Sequence, residues 1–242
     1  MLISAVVFGS ALFHTAVYRL SAVFRPSRAT STDSQLWCQY CTTLAHALIQ
    51  TTAATYVLAA HPELQSDLYG YTDVSACTLA FSCGFFAWDT FHHVLVAEKF
   101  ELPFVIHGGV CMCIYFLGNW PRPYLQWMGS LVLLYEVSSI FLNIRYLMLI
   151  AGRAQTLIFA VVEAAFCLLF LTIRLGLGVP ISWFWLRQEY ESYYAGHTRS
   201  VPITLLFVGA NVITNSLNVF WAVGIVKKAA SKLSGKKTIA QI

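Results

Sequence analysis

Val201–Val226, VPITLLFVGANVITNSLNVFWAVGIV, runs for 26 residues without one ionisable side chain. As a helix, at 1.5 Å per residue, it extends about 39 Å, more than the hydrocarbon core of about 30 Å requires. Basic residues follow directly: Lys227, Lys228, Lys232, Lys236 and Lys237 are five of the chain's six lysines. A juxtamembrane basic cluster marks the cytoplasmic side and suits anionic lipid, so 227–242 reads as a basic cytoplasmic tail. It is no nucleic-acid surface.

Working back towards the N-terminus, apolar runs recur. Residues 2–24 form a first run interrupted by His14 and Arg19. With no basic stretch before it and no small-residue cleavage site, it reads as a retained helix rather than a signal peptide. A polar connection is expected over 25–36. Tyr40 to Ala60, Val74 to Ala97, Pro103 to about Leu117, Leu125 to Ile150 and Gln155 to Val179 complete the set, with a loop from Pro180 to Arg199 whose Trp and Tyr residues suit an interfacial belt. The whole chain is 242 residues, 58% hydrophobic and 11% charged, with a mean hydropathy of +0.65. So few charges cannot cover a soluble globule, and long runs without alternation exclude an outer-membrane barrel. The expected fold is all-α: a polytopic membrane protein of about seven transmembrane helices around a central cavity. Six crossings remain open if the first or fourth run does not span. The divisions expected are 1–36 (a helix and its connection), 37–226 (the main domain) and 227–242 (the tail).

Basic residues near helix ends favour the N-terminus outside and the C-terminus inside: Arg25, Arg28 and Arg153 fall with the lysines, whereas Glu63 and Asp67 fall opposite, where Arg122, Arg187 and Arg199 soften the bias. Glu98, Lys99 and Glu101 make a short charged turn. The seven cysteines (38, 41, 77, 83, 111, 113 and 167) lie mostly inside apolar runs and read as small packing residues.

Ionisable groups inside spans are expensive there and mark function by default. Asp89, His92 and His93 share one helical face at i, i+3 and i+4. A carboxylate beside an imidazole raises its basicity, as general-base chemistry requires. A hydrogen-bond cluster that merely fixes helix packing is the alternative. His107 lies one short turn further on. The Asp89-x-x-His92-His93 spacing has a superficial likeness to a di-iron histidine box, but His14, His46, His61 and His197 supply no further box, so no metal is expected. Glu136 and Asn143 are two turns apart on one face, with Ser139 between them. Arg145 reads as a snorkelling side chain near a helix end. Glu163 and Arg174 are too far apart to pair and should find partners on other helices. Asn211, Asn215 and Asn218 form an amide stripe, either for interhelical hydrogen bonds or as a cavity lining.

Three stretches carry a family resemblance: Cys83-Gly84-Phe85-Phe86-Ala87-Trp88-Asp89, Leu102-Pro103-Phe104-Val105-Ile106-His107, and Glu136-Val137-Ser138-Ser139-Ile140-Phe141-Leu142-Asn143-Ile144-Arg145. In order and spacing the chain resembles the TLC-domain family over about residues 37–226, in the form of its small members rather than the ceramide synthases. The resemblance implies about seven helices around a cavity, in the endoplasmic reticulum. It also implies one of the family's activities: N-acylation of sphingoid bases, lipid sensing or transport, control of phospholipid acyl composition, or cargo export. Where ceramide synthases carry paired histidines this chain has His107-Gly108, and it lacks their downstream His-Asp pair.

Two functions are therefore expected as alternatives. One is lipid handling, with membrane lipid as the partner, no cofactor, and Asp89, His92, His93, His107, Glu136 and Asn143 at the headgroup. The other is a ceramide-synthase-like N-acyltransferase, with acyl-CoA as co-substrate and His107 as base. A seven-helix receptor has only helix number behind it.

Overall fold

The computed structural model describes residues 2–27, 29–96 and 101–233. Arg28, Glu98, Lys99, Lys236 and Lys237 of the sequence reading lie outside the described residues. Helix α1 (Leu2–Ser21) ends in a short 3₁₀ turn. Helix α2 (Ser31–Ala60) starts inside the expected 25–36 connection, because Thr30 and Asp33 close a capping box: each side chain accepts the other's backbone N–H, at 3.1 and 3.2 Å. Thr72 and Ser75 start α3 (Asp73–Leu95) in the same way. Helix α4 (Leu102–Leu117) carries Pro103 in its first turn, where its missing N–H is harmless.

The span expected over Leu125–Ile150 is one rod made of two helices, α5 (Gln126–Leu133) and α6 (Glu136–Ile150). Between them the hydrogen bonds tighten to i−3: Leu134 N–H to the Leu131 carbonyl, Tyr135 to Val132, Ser138 to Tyr135. A second rod joins α7 (Leu157–Leu169), a π-helical stretch (Phe170–Leu177) and α8 (Gly178–Tyr194). The 180–199 stretch expected as a loop is thus helical through Tyr194. Pro180 falls in the first turn of α8, just after the wide π turns, and the chain passes it without a break. Helix α9 (Val201–Leu233) ends the described chain.

Among the described residues these nine helices make seven rods and no strand. Five are long and apolar enough to cross a membrane: α1, α3, the α5–α6 rod, the α7–α8 rod and α9. Helix α4 is apolar but only 16 residues long. Outward faces are apolar, with Phe8, Leu12, Leu157, Leu205 and Phe220 exposed, as an integral membrane protein requires.

Lipid is as apolar as leucine, so close approach and polar links hold the rods together. Gly84 lets α1 touch α3: a Cβ there would collide with the Val7 carbonyl. Ser10 Oγ donates to the Phe81 carbonyl at 2.6 Å across the same contact. Gln50 Nε2 ties α2 to α3 through the Thr78 carbonyl (2.9 Å) and Ser82 Oγ (2.7 Å). An aromatic and aliphatic core of Leu79, Phe85, Phe86, Tyr115 and Leu133 fills the middle.

Candidate functional site

Arg174 sits in the π-helical stretch, buried. Its guanidinium reaches two neighbouring rods. Nε donates to Ser138 Oγ (3.1 Å), Nη2 to Ser139 Oγ (3.1 Å) and the Tyr135 carbonyl (3.5 Å), and Nη1 to Asn218 Oδ1 (3.3 Å). The Tyr135 carbonyl sits at the break between α5 and α6. Among the described residues no carboxylate lies within ion-pair distance of Arg174, so its hydrogen bonds all go to neutral oxygens. On α9, Trp221, one turn beyond Asn218, packs on His107 of α4; Asp89 of α3 stands beside the neighbouring Gly108; and Glu136, buried, opens α6 two residues before Ser138. One buried polar neighbourhood therefore draws on α3, α4, α6, the π stretch and α9.

The sequence-derived candidates divide around it. Asp89, His107, Glu136 and Asn218 join the cluster. His107 lies with Cys111 Sγ 3.8 Å from Nε2, between the rings of Phe86 and Trp221. His93 flanks it: Asp89 Oδ1 stands 3.7 Å from His93 Nε2, and Gln39 Nε2 donates to that same nitrogen at 2.8 Å. The partner that orients this imidazole is thus Gln39 on α2, with Asp89 further off. His92 turns towards α1, against Tyr18 and Trp88. Asn143 donates to the Ser139 carbonyl of its own helix at 2.8 Å. Asn211 and Asn215 both donate to Ser182 on α8, at 2.9 and 3.0 Å, and line a pocket of about 40 Å³ that shares Tyr135 with the cluster. A larger hollow, about 480 Å³, lies at one end of the bundle. Neither hollow is lined by Asp89, His93, His107 or Glu136.

Arg145 corrects the snorkelling expectation. It is buried, with Nε 3.1 Å from Glu163 Oε1, and it lies over the rings of Tyr146 and Phe159. A guanidinium and a carboxylate on adjacent rods satisfy one another better than an exposed arginine beside a lone intramembrane glutamate. The sequence reading also passed over the pair His14–His46, both fully buried, with ring centroids 5.4 Å apart and His46 stacked on Phe85 at 3.6 Å. His14 Nδ1 donates to the Ser10 carbonyl at 2.7 Å. The signal in the sequence is that each is an imidazole inside an apolar run, with nothing to pair the two.

A family profile described as the TLC domain matches residues 36–227. The chain belongs to the TLC domain family. Three TLC domain-containing relatives show how far the likeness reaches. An uncharacterised one from Schizosaccharomyces pombe is 27% identical, over 70% of this chain and 57% of its own length. A second uncharacterised one, from Saccharomyces cerevisiae, is 24% identical over 67% and 51%. Human TLC domain-containing protein 2 is 25% identical over 73% and 64%. The chain thus spans about half to two thirds of the length of these relatives.

Within the TLC domain, the His107-Gly108 step has a steric reason. A Cβ on Gly108 would stand 2.5 Å from Thr90 Oγ1 and 3.7 Å from Asp89 Oδ2. The glycine lets α4 lie against α3 at Asp89, and a second imidazole there would need Thr90 to turn away. Helix α1 lies outside the matched residues yet packs on the TLC domain through Gly84.

Proposed function

We propose that this protein handles membrane lipid, taking the polar end of a lipid at the cluster of Arg174, Glu136, Asp89 and His107. Arg174 is the observation that carries the reading. A buried guanidinium in an apolar bundle, given only neutral acceptors, keeps charge in reserve for a phosphate, carboxylate or amide oxygen. Glu136 and Asp89 offer acceptors to a hydroxyl or an amine of the same headgroup. The acyl chains then run between rods whose facing side chains are apolar. Family membership supports the endoplasmic reticulum as the membrane, and binding, sensing or adjustment of lipid composition as the role.

One observation favours an enzymatic second reading: among the described residues the ring nitrogens of His107 meet only Cys111 Sγ, at 3.8 and 3.9 Å, which leaves a lone pair free to act as a general base. A ceramide-synthase-like step would then have a sphingoid amine attack the acyl-CoA thioester. The imidazole takes the amine proton and CoA leaves as its thiol.

Purified protein supplied with acyl-CoA and sphingoid base separates the two. Lipid handling predicts no turnover, with co-purified lipid that is lost from Arg174→Leu and reduced in His107→Ala. Amide product that disappears in His93→Ala or His107→Ala would overturn the binding reading in favour of the enzyme.

A further inference from the structure

The loop between α2 and α3, the C-terminal part of α8 and the turn before α9 enclose an open basin of about 480 Å³. That volume lies within the range of small-ligand sites. Its lining includes Asp67, Tyr69, Gln188, Glu191, His197 and Arg199, so both signs of charge face one hollow.

The basin is built on a fixed floor. The Arg199 guanidinium lies 3.9 Å from the Tyr69 ring centroid, and the Arg199 backbone N–H donates to the Tyr69 hydroxyl at 2.9 Å. Tyr69 stacks on Tyr124, whose hydroxyl donates to buried Glu189 at 2.5 Å. Burial, with the Glu189 carboxylate beside it, holds the Tyr124 phenol above the usual tyrosine range, so it remains the donor. The Leu125 N–H donates to the Leu68 carbonyl at 2.8 Å and pins the loop from beneath. Asp67 is held in turn, its Oδ1 accepting the Tyr69 N–H at 2.9 Å. Arg199 and Asp67 are exposed yet held in place, and among the described residues neither has an ion-pair partner within 4 Å.

Depth in the membrane follows from the neighbours. Tyr190, Tyr193 and Tyr194, all exposed, crowd the adjoining end of α8, and exposed tyrosines gather at the level of lipid headgroups.

We propose that this basin docks a zwitterionic phospholipid headgroup, with Arg199 and His197 on the phosphate and Asp67 on the ammonium. Arg187 already pairs with Glu191 at 2.8 Å, which leaves Asp67 as the uncommitted anion. The site is independent of the buried Arg174 cluster.

The full chain in detergent, titrated with short-chain phosphatidylcholine or phosphatidylglycerol and read by native mass spectrometry, tests it. Phosphatidylcholine is expected to bind about tenfold tighter than phosphatidylglycerol. Arg199→Gln weakens phosphatidylcholine about tenfold. Asp67→Asn removes the preference between the two lipids. Arg122→Gln, an equal charge change at the same end of the bundle, leaves both values unchanged. Equal binding of the two lipids by the native chain would overturn the proposal, as would a native preference in Asp67→Asn. Should Arg199→Gln lose its helical circular dichroism, Asp67→Asn alone decides. Soluble glycerophosphocholine is expected not to compete at equal concentration; competition would overturn the membrane as the ligand's source.

Discussion

Arg174 shows how a single residue in a membrane acquires partners that the sequence does not display. Its position inside an apolar run was visible, and so was the expectation of partners on other helices. Ser138, Ser139 and Asn218 were not identifiable as those partners, because the π turns around Arg174 shift its direction away from a 3.6-residue count. Removing the guanidinium alone strips its four acceptors of their donor and leaves Glu136 buried on the same turn of α6, so Arg174→Leu should unfold at lower temperature than the native chain. Replacing both charges in Arg174→Leu/Glu136→Leu should recover that stability, since an apolar pair avoids the desolvation penalty. Lipid retention should stay lost in both variants. Recovery of retained lipid in the double variant, by mass spectrometry of the purified protein, would contradict the assigned role. Asp89 and His107 were legible as intramembrane ionisable groups. Gln39, which orients His93, was not, because an amide near the start of a long helix carries no sequence signal for a contact 54 residues away.

At the scale of elements, apolar runs located the helices well, and their boundaries less so. Capping chemistry moved the start of α2 to Ser31, and the π-helical stretch carried the chain through Pro180. Two pairings make predictions here. Gly84→Val places side-chain atoms where the Val7 carbonyl and Ser10 Cβ already stand. It should destabilise the α1–α3 contact by roughly 1–3 kcal/mol, seen as faster cleavage within α1 under limited proteolysis. An unchanged cleavage rate would place α1 away from α3. Arg145 and Glu163 link α6 to α7 at 3.1 Å. A double-mutant cycle with Arg145→Met and Glu163→Gln should return a coupling of roughly 0.5–3 kcal/mol, whereas a lipid-facing, snorkelling Arg145 would return none. The snorkelling reading came from the distance of Arg145 from its own helix end; tertiary pairing reversed it.

Across the whole molecule, seven rods carry the chain back and forth, so the 61–72 loop and the region of Lys227 belong at opposite ends. Arg25, Arg153 and Lys227 fall at one end, and Glu63, Asp67 and Asp73 at the other together with Arg122 and Arg199. The positive-inside rule then predicts the loop on the far side of the membrane and the tail in the cytosol. In sealed microsomes, a single cysteine placed at Ser66 should resist a membrane-impermeant maleimide until the vesicles are opened, and one at Ser231 should react at once; the reverse pattern would invert the topology. The overall class was readable from composition alone, because 11% charge leaves no soluble alternative. The site was readable only as separate ionisable residues, since convergence is a property of packing. That convergence is the central claim, and photo-crosslinking tests it most directly. A lipid carrying a diazirine beside its headgroup, incubated with the full chain and mapped by peptide mass spectrometry, should label α4 and α6 near His107 and Glu136, with labelling abolished in Arg174→Leu. Labels confined to the outward residues Leu205, Val212 and Phe220, and unaffected by that substitution, would contradict it.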